Sequence, residues 1–378
     1  MRLAFVTICG YPWGGSEELW TATAKEALLG GHEVLVSVFD WPNQHERLHG
    51  LKSLGARMHL RRRFYPGPWQ RVRKKLWNSF LPPGRKATYH DYLSDFQPDH
   101  ILFSLAGGDE IAIEPDDLMV FVRQTGIPFS VIYHSVTPGH RYPPDVASNM
   151  REVFHLSKHS FFTSRLQMDL YRSQTGDAIV NGRKLHHPLR PLTPVPFPAI
   201  GSGPVRMCMV GSLISRWKGQ DIAFEVLSSA SWRDRDWELD VYGVGSDSDM
   251  LVALTGRLGI SDRVHFKGHD EDMGRVLGCH HLVLIPSRQD TGPIVLFEAM
   301  GSARPVVGMP MGAMPEYVAD GQTGFMSPSI DAEGFAIAME RAWAAREQWR
   351  RMGEEARSYL AQHYDPNPQR TLLDIITA

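Results

Sequence analysis

Residues 286–307 read PSRQDTGPIVLFEAMGSARPVV, and they follow the apolar run Leu282–Ile285. A short apolar run of this kind is what a strand buried on both faces of a parallel sheet presents. Asp290-Thr291-Gly292 supply a turn, and Pro293 suits the first position of a helix, where a missing N–H costs nothing. Ile294 to Met300 then continue as a mostly apolar, buried helix. The unpaired amides of Gly292, Pro293's successor Ile294 and the following residues make that helix start an anion site. Asp290 precedes it, and Glu298 stands about five residues inside, roughly 8 Å further along the axis. Acid, anion site and acid match the order of parts in a sugar nucleotide: sugar, diphosphate, ribose.

The chain has 378 residues, enough for two domains of ordinary size. With 43% hydrophobic and 22% charged residues it has the composition of a water-soluble globular protein. A formal net charge of −2 gives no global attraction to nucleic acid. Cys9, Cys208 and Cys279 lie in or beside apolar runs without ligand spacing. Reduced, buried thiols are therefore expected, with no disulfide framework and no zinc site, which points to the cytoplasm. The first apolar run, Leu3 to Ile8, is broken by Gly10 and Pro12 too early for a signal peptide or a spanning helix.

The chain opens as strand, glycine loop, helix, strand. Leu3–Ile8 is the strand, residues 10–17 (GYPWGGSE) the loop, Glu18–Leu29 the helix and Glu33–Phe39 the next strand. Such a βαβ unit implies a parallel sheet. His100–Leu105, Phe129–Tyr133 and Ser160–Thr163 continue it. Six prolines between His187 and Val205 exclude helix or central strand, so 188–204 reads as a linker. A second series follows: Arg206–Val210, a helix from about Gln220, Glu238–Tyr242, Val264–Phe266, Leu282–Ile285 and Pro305–Gly308. The fold class expected from this pattern is α/β, two halves at 1–187 and 205–363 joined by a proline hinge, with 364–378 ending in a short amphipathic helix.

Residues 61–86 hold nine Lys or Arg and no acid, with Trp69, Val72, Leu76 and Phe80 at helical spacing. A surface helix packed on its own domain accounts for this pattern. A basic amphipathic face resting on an anionic membrane surface, on the inner side, accounts for it too.

The motifs resemble those of the GT-B glycosyltransferases, specifically the large retaining family called glycosyltransferase family 4 or group 1. Its acid, seven residues, then Glu opening an EAM-type helix appears here as Asp290 and Glu298-Ala299-Met300. The first acid is Asp where the family has Glu. The resemblance implies that Glu298 accepts hydrogen bonds from the donor's ribose hydroxyls and that Asp290 meets hydroxyls of the transferred sugar. It matches Lys218, before Gly219, to the family's phosphate-binding lysine. Ser212 stands where the family has arginine, and Arg216 is the nearby replacement. A departing nucleoside diphosphate needs fixed cations or a metal, and Lys218 with Arg216 suits a reaction without metal or other cofactor. Gly14-Gly15-Ser16-Glu17 matches the family's GGxE loop, where glycine permits close approach to the ligand. His134 matches a histidine that contacts the donor sugar. Gly243, Gly245, Gly268 and His269 lie in loops that cradle the nucleotide, and Gly292, Pro293 and Ile294 at the helix start that receives the donor. Gly312–Glu316 matches a GGxPE turn, and Asn181-Gly182 reads as a structural turn. The glycine spacing is not the GxGxxG of an NAD site, and there is no GxSxG elbow for a serine nucleophile.

The resemblance further implies two Rossmann-like domains facing a cleft, with the last helix returning to the first domain. The activity implied is retaining transfer of a sugar from a nucleoside-diphosphate sugar to a hydroxyl of a polysaccharide or lipid-linked glycan precursor. Two other readings stand beside it. One is an epimerase or phosphorylase on the same fold. The other is a two-lobed binding protein without catalysis. The nucleotide, the sugar and the acceptor stay open.

Overall fold

The computed structural model describes residues 1–9, 12–61, 79–80, 90–106, 115–189, 195–201 and 203–378. Gly10 and Tyr11 of the glycine loop, nearly all of the basic segment and linker positions 190–194 and 202 lie outside the described residues. The chain divides into two compact units. Unit 1 holds Met1–Thr163, Gln167–Pro188 and Asn367–Ala378; unit 2 holds Ser164–Leu166 and Leu189–Pro366.

Unit 1 is built on seven strands: β1 (Arg2–Thr7), β2 (Glu33–Phe39), β3 (Arg57–Arg61), β4 (His100–Leu105), β5 (Phe129–Tyr133), β6 (His159–Phe162) and β7 (Gly182–Lys184). Their order is β3-β2-β1-β4-β5-β6-β7, and every pairing is parallel. The strand period of two explains why β1 is apolar throughout. Leu3 and Phe5 enter a cluster with Trp20 and Val36, while Ala4 and Val6 enter another with Ile101 and Phe103. The last helix, Pro368–Thr377, buries Leu372, Leu373 and Ile376 in the first of these clusters.

Unit 2 has six strands: β8 (Val205–Val210), β9 (Trp237–Tyr242), β10 (Val264–Gly268), β11 (Leu282–Ile285), β12 (Val306–Gly308) and β13 (Phe325–Met326). Their order is β10-β9-β8-β11-β12-β13, again wholly parallel. Alternation recurs: Leu282 and Leu284 face one core, Val283 and Ile285 the other. In each sheet the strand order reverses beside the first strand, between β1 and β4 and between β8 and β11. The carboxyl ends of those strands are where an open α/β sheet forms its ligand crevice.

Several local expectations change. The first helix spans Gly15–Leu29, three residues earlier than the apolar pattern suggests, because Gly14 already serves as N-cap. Pro293 is the N-cap of helix Ile294–Gly301 rather than its first residue. Cys9 and Cys208 are buried, but Cys279 is exposed, since it ends the helix Met273–Gly278 at the surface. Arg304 is a fully buried arginine that the sequence does not announce. Its guanidinium donates to the carbonyls of Leu277, His280 and Ser302 at 2.8 Å and of Pro196 at 2.7 Å, which fastens the end of the linker to unit 2.

Candidate functional site

In unit 2 two loops meet at the strand-order reversal. One runs from β8 through the short helix Ser215–Lys218; the other is 286–292, after β11. Gly219 lets them touch. Its φ is +66°, and a Cβ there would lie 1.9 Å from the Pro286 carbonyl oxygen, so only glycine fits. Three contacts then knit the loops. Gln289 N donates to Trp217 O at 3.1 Å. Arg288 donates to both carboxylate oxygens of Asp221, each at 2.7 Å, and to Ser215 O at 2.9 Å. Lys218 Nζ donates to Asp290 Oδ2 at 2.6 Å, while Asp290 Oδ1 accepts from Thr291 N at 2.9 Å. The Lys218 and Asp290 side chains keep 29% and 12% of their surface, so the pair is sheltered yet reachable.

A small pocket opens beside this pair. Gly211, Lys218, Gln220, Tyr242, Ser287 and Asp290 form its polar wall over an apolar floor from β8, β9 and β11. Gly243 follows Tyr242 of the pocket wall. At φ +137° its Cβ position would fall 1.9 Å from Gly211 O, so the loops after β8 and β9 meet backbone to backbone. A Cβ on Gly245 would meet Leu213 O at 2.3 Å, and Gly243 N donates to Gly268 O at 2.7 Å. Side chains thus leave these turns to the backbone. His269, just beyond β10, is largely exposed. Thr291, Pro293 and Glu298 follow along helix Ile294–Gly301; Glu298 is partly buried between buried Phe297 and Ala299. Gly292 and Ile294 are partly buried on either side of buried Pro293. The turn at Gly312 lies against Asp290 and Thr291, whose backbone a Cβ would approach within 2.6–2.8 Å.

Arg216 does not join Lys218 in the described contacts. It is exposed, with its guanidinium 4.6 Å from the Trp217 ring centroid. Residues two apart on a helix point to different sides, which is why proximity in sequence misleads here. Arg288, Asp221 and Gln220 are the residues the motifs did not single out. The arginine and aspartate carry no spacing signal, because their pairing joins positions 67 residues apart.

In unit 1 the expected residues take other surroundings. Gly14 is extended, and a Cβ would meet nothing nearer than Ser16 Oγ at 3.9 Å; glycine leaves space there rather than relieving strain. Gly15 begins the helix. Glu17 is buried, accepting from Thr7 Oγ1 at 2.9 Å and Trp20 Nε1 at 2.6 Å, and burial raises its carboxyl above the ordinary range. His134 follows β5, with Nε2 3.0 Å from Ser104 Oγ and its ring 5.4 Å from that of His187. The residue keeps some surface, yet burial of the ring, with His187 beside it, holds the imidazole well below the usual histidine range. Asn181 Nδ2 donates to Phe154 O and Ser157 O at 2.8 and 2.7 Å, a structural tie. Among the described residues no group of three or more His, Cys, Asp or Glu could hold a metal ion.

Residues 204–345, which contain the pocket, match the family described as glycosyl transferases group 1. Unit 2 is thus similar to the group 1 glycosyl transferases over this stretch. The N-acetyl-alpha-D-glucosaminyl L-malate synthase of Bacillus anthracis is 30% identical over 129 residues, 34% of each chain. The alpha-D-kanosaminyltransferase of Streptomyces kanamyceticus is 30% identical over 153 residues, 40% of each. The match thus spans between a third and two-fifths of these relatives' length. Over the whole chain, Anabaena Alr3699/HepE, solved in complex with UDP, superposes with a TM-score of 0.75 at 16% identity, covering 100% of both. That likeness establishes the fold: two parallel-sheet α/β units, the GT-B architecture.

Proposed function

We propose that the chain is a retaining glycosyltransferase that moves a sugar from a nucleoside-diphosphate sugar to a hydroxyl acceptor of polysaccharide or lipid-linked glycan assembly. The observation that carries this reading is the Lys218–Asp290 pair, 2.6 Å apart, at the mouth of the pocket where strand order reverses. Lys218 neutralises the charge that grows on the departing diphosphate, and the amides at the start of helix Ile294–Gly301 share it. The reaction then needs no metal. Asp290 turns to the hydroxyls of the transferred sugar as Lys218 moves to phosphate. Glu298, the fifth residue of the helix, takes the ribose diol, because a carboxylate accepts two hydrogen bonds from vicinal hydroxyls. His134, held neutral, both donates and accepts at the carboxyl end of β5 in unit 1. Retention follows a front-face route: the acceptor hydroxyl attacks on the side from which the diphosphate leaves, and the diphosphate takes its proton. Positioning and charge stabilisation carry the rate.

Thermal-shift screening against UDP-, GDP- and ADP-sugars tests this reading, since a ligand of the folded state raises Tm. UDP-sugars come first, because UDP occupies the Anabaena structure. A shift with one nucleotide, lost in Lys218→Ala, is expected. Sugar release or transfer by the active pair, read by NMR, then shows the anomer formed. No shift with any of the three families, or full turnover in Glu298→Ala, overturns the reading. For the basic segment we propose contact with an anionic membrane surface; equal liposome recovery with and without anionic lipid overturns that.

A further inference from the structure

Gln220 presents a buried acceptor that no described residue uses. It is the first residue of helix Gln220–Leu227 and only 3% exposed. Its side-chain amide is oriented without ambiguity. Nε2 lies 2.9 Å from the carbonyl oxygen of Ser212, which only accepts, so the nitrogen must face it and Oε1 must face away. Oε1 is buried and has no hydrogen-bond partner, in a residue that lines the pocket with Lys218 and Asp290. The nearest cationic donor of the pocket wall, Lys218, is already engaged by Asp290. A buried polar atom left in this state calls for a partner from outside the chain.

The chemistry of that partner is constrained. An amide oxygen only accepts, so a diphosphate, whose oxygens are also acceptors, cannot satisfy it. What fits is a hydroxyl or an amide N–H. Resting on the glycosyl-transfer reading of the same pocket, we infer that Gln220 Oε1 accepts a hydrogen bond from a hydroxyl or amide N–H of the transferred sugar and so helps select it. Asp290 and Gln220 then form two acceptors for sugar donors, and Lys218 the cation for phosphate. A site built to receive a hydrogen bond rejects a ligand that lacks the donor, because its buried acceptor is left unpaired.

Calorimetric affinities for the nucleotide-sugar and for the bare nucleoside diphosphate, with wild type and Gln220→Met, test this. Methionine keeps the length of the side chain and removes the acceptor. The nucleotide-sugar should bind about three- to tenfold more weakly, and the nucleoside diphosphate within about twofold of wild type. The unchanged diphosphate affinity also certifies that the variant is folded. Equal losses for both ligands place the effect in the Ser212 contact or the nucleotide and overturn the inference; no loss for either overturns it too. A second arm uses the wild-type chain. One member of a series of monodeoxy or deacetylated nucleotide-sugars should lose the same factor, and a series without such a member overturns the assignment. If wild type binds the nucleoside diphosphate but the sugar adds nothing, Gln220 is wrong while the nucleotide site stands. If wild type binds neither, the glycosyl-transfer reading itself has failed.

Discussion

The two units run the same strand order around their first strands, yet an acid beside a crevice helix fares in opposite ways at Glu17, after β1, and at Asp290, after β11. In unit 1, Glu17 is folded into the core beneath Thr7 and Trp20, 4% exposed, with its hydrogen bonds spent inside the protein. In unit 2, Asp290 stands before the helix and pairs with a lysine at the mouth of a pocket. A place beside a crevice helix therefore does not by itself expose a carboxylate. The partners differ: Asp290 is paired with an ammonium that reaches the surface, whereas Glu17 accepts from an indole N–H buried in the core.

The largest test of this contrast is kinetic. Lys218→Ala should lower kcat about 10²–10³-fold in a nucleotide-sugar assay, in line with removing one preorganised charge stabiliser. Asp290→Asn should lower it less. If either retains full activity, the unit 2 pair is only structural and the contrast collapses.

The next effect belongs to unit 1 and to pH. His100 is 2% exposed, 3.0 Å from Ser130 Oγ, and held down to about 4 by burial, with Lys158 and His159 adding to it. Its folded value is depressed below the ordinary 6.5, so the folded state resists protonation. Stability is therefore full above pH 6.5 and is lost as pH falls through about 4, by up to about 3 kcal/mol. Denaturant titrations at pH 7, 5.5 and 4 should show this slope, and His100→Gln should flatten it. An unchanged slope would assign the acid sensitivity to other groups.

Smaller again, Glu17→Ala should cost about 2 kcal/mol by leaving the Trp20 and Thr7 donors buried and unpaired, with nucleotide-sugar affinity untouched. A variant that folds normally but loses affinity would make Glu17 a ligand residue after all. The smallest effect is expected at Arg288→Ala. Its pair with Asp221 is about one-third exposed and so worth about 1 kcal/mol or less in stability. It should act instead by loosening Lys218 from Asp290 and raising KM for the donor more than it lowers kcat.

How far the sequence could be read depended on the range of the interaction. The apolar runs at Leu3, His100, Leu282 and Val306 made strands because strand patterning is local. The linker announced itself by its prolines for the same reason. The motif residues Lys218 and Asp290 were visible one at a time. Arg216 was a natural partner by sequence distance, but its guanidinium lies against the Trp217 ring, while Arg288 joins the two loops. Cys279 looked buried from its apolar neighbours, but a helix end placed it outside.

The motif resemblance supplied the GT-B assignment, while sequence patterning alone determined that this chain forms two parallel α/β units and that one of them carries a helix start flanked by acids. Period-two apolar runs, turn glycines and helix-start chemistry act over a few residues, and that is all such a reading requires. Only the tertiary structure decided which acid is folded into the core and which pairs with a lysine at the pocket, which arginine braces the acid loop, and that Gln220 holds an acceptor no described residue uses. Those outcomes depend on backbones meeting within van der Waals contact, as Gly219 meets Pro286 and Gly243 meets Gly211, and no local pattern encodes which distant carbonyl a missing side chain makes room for.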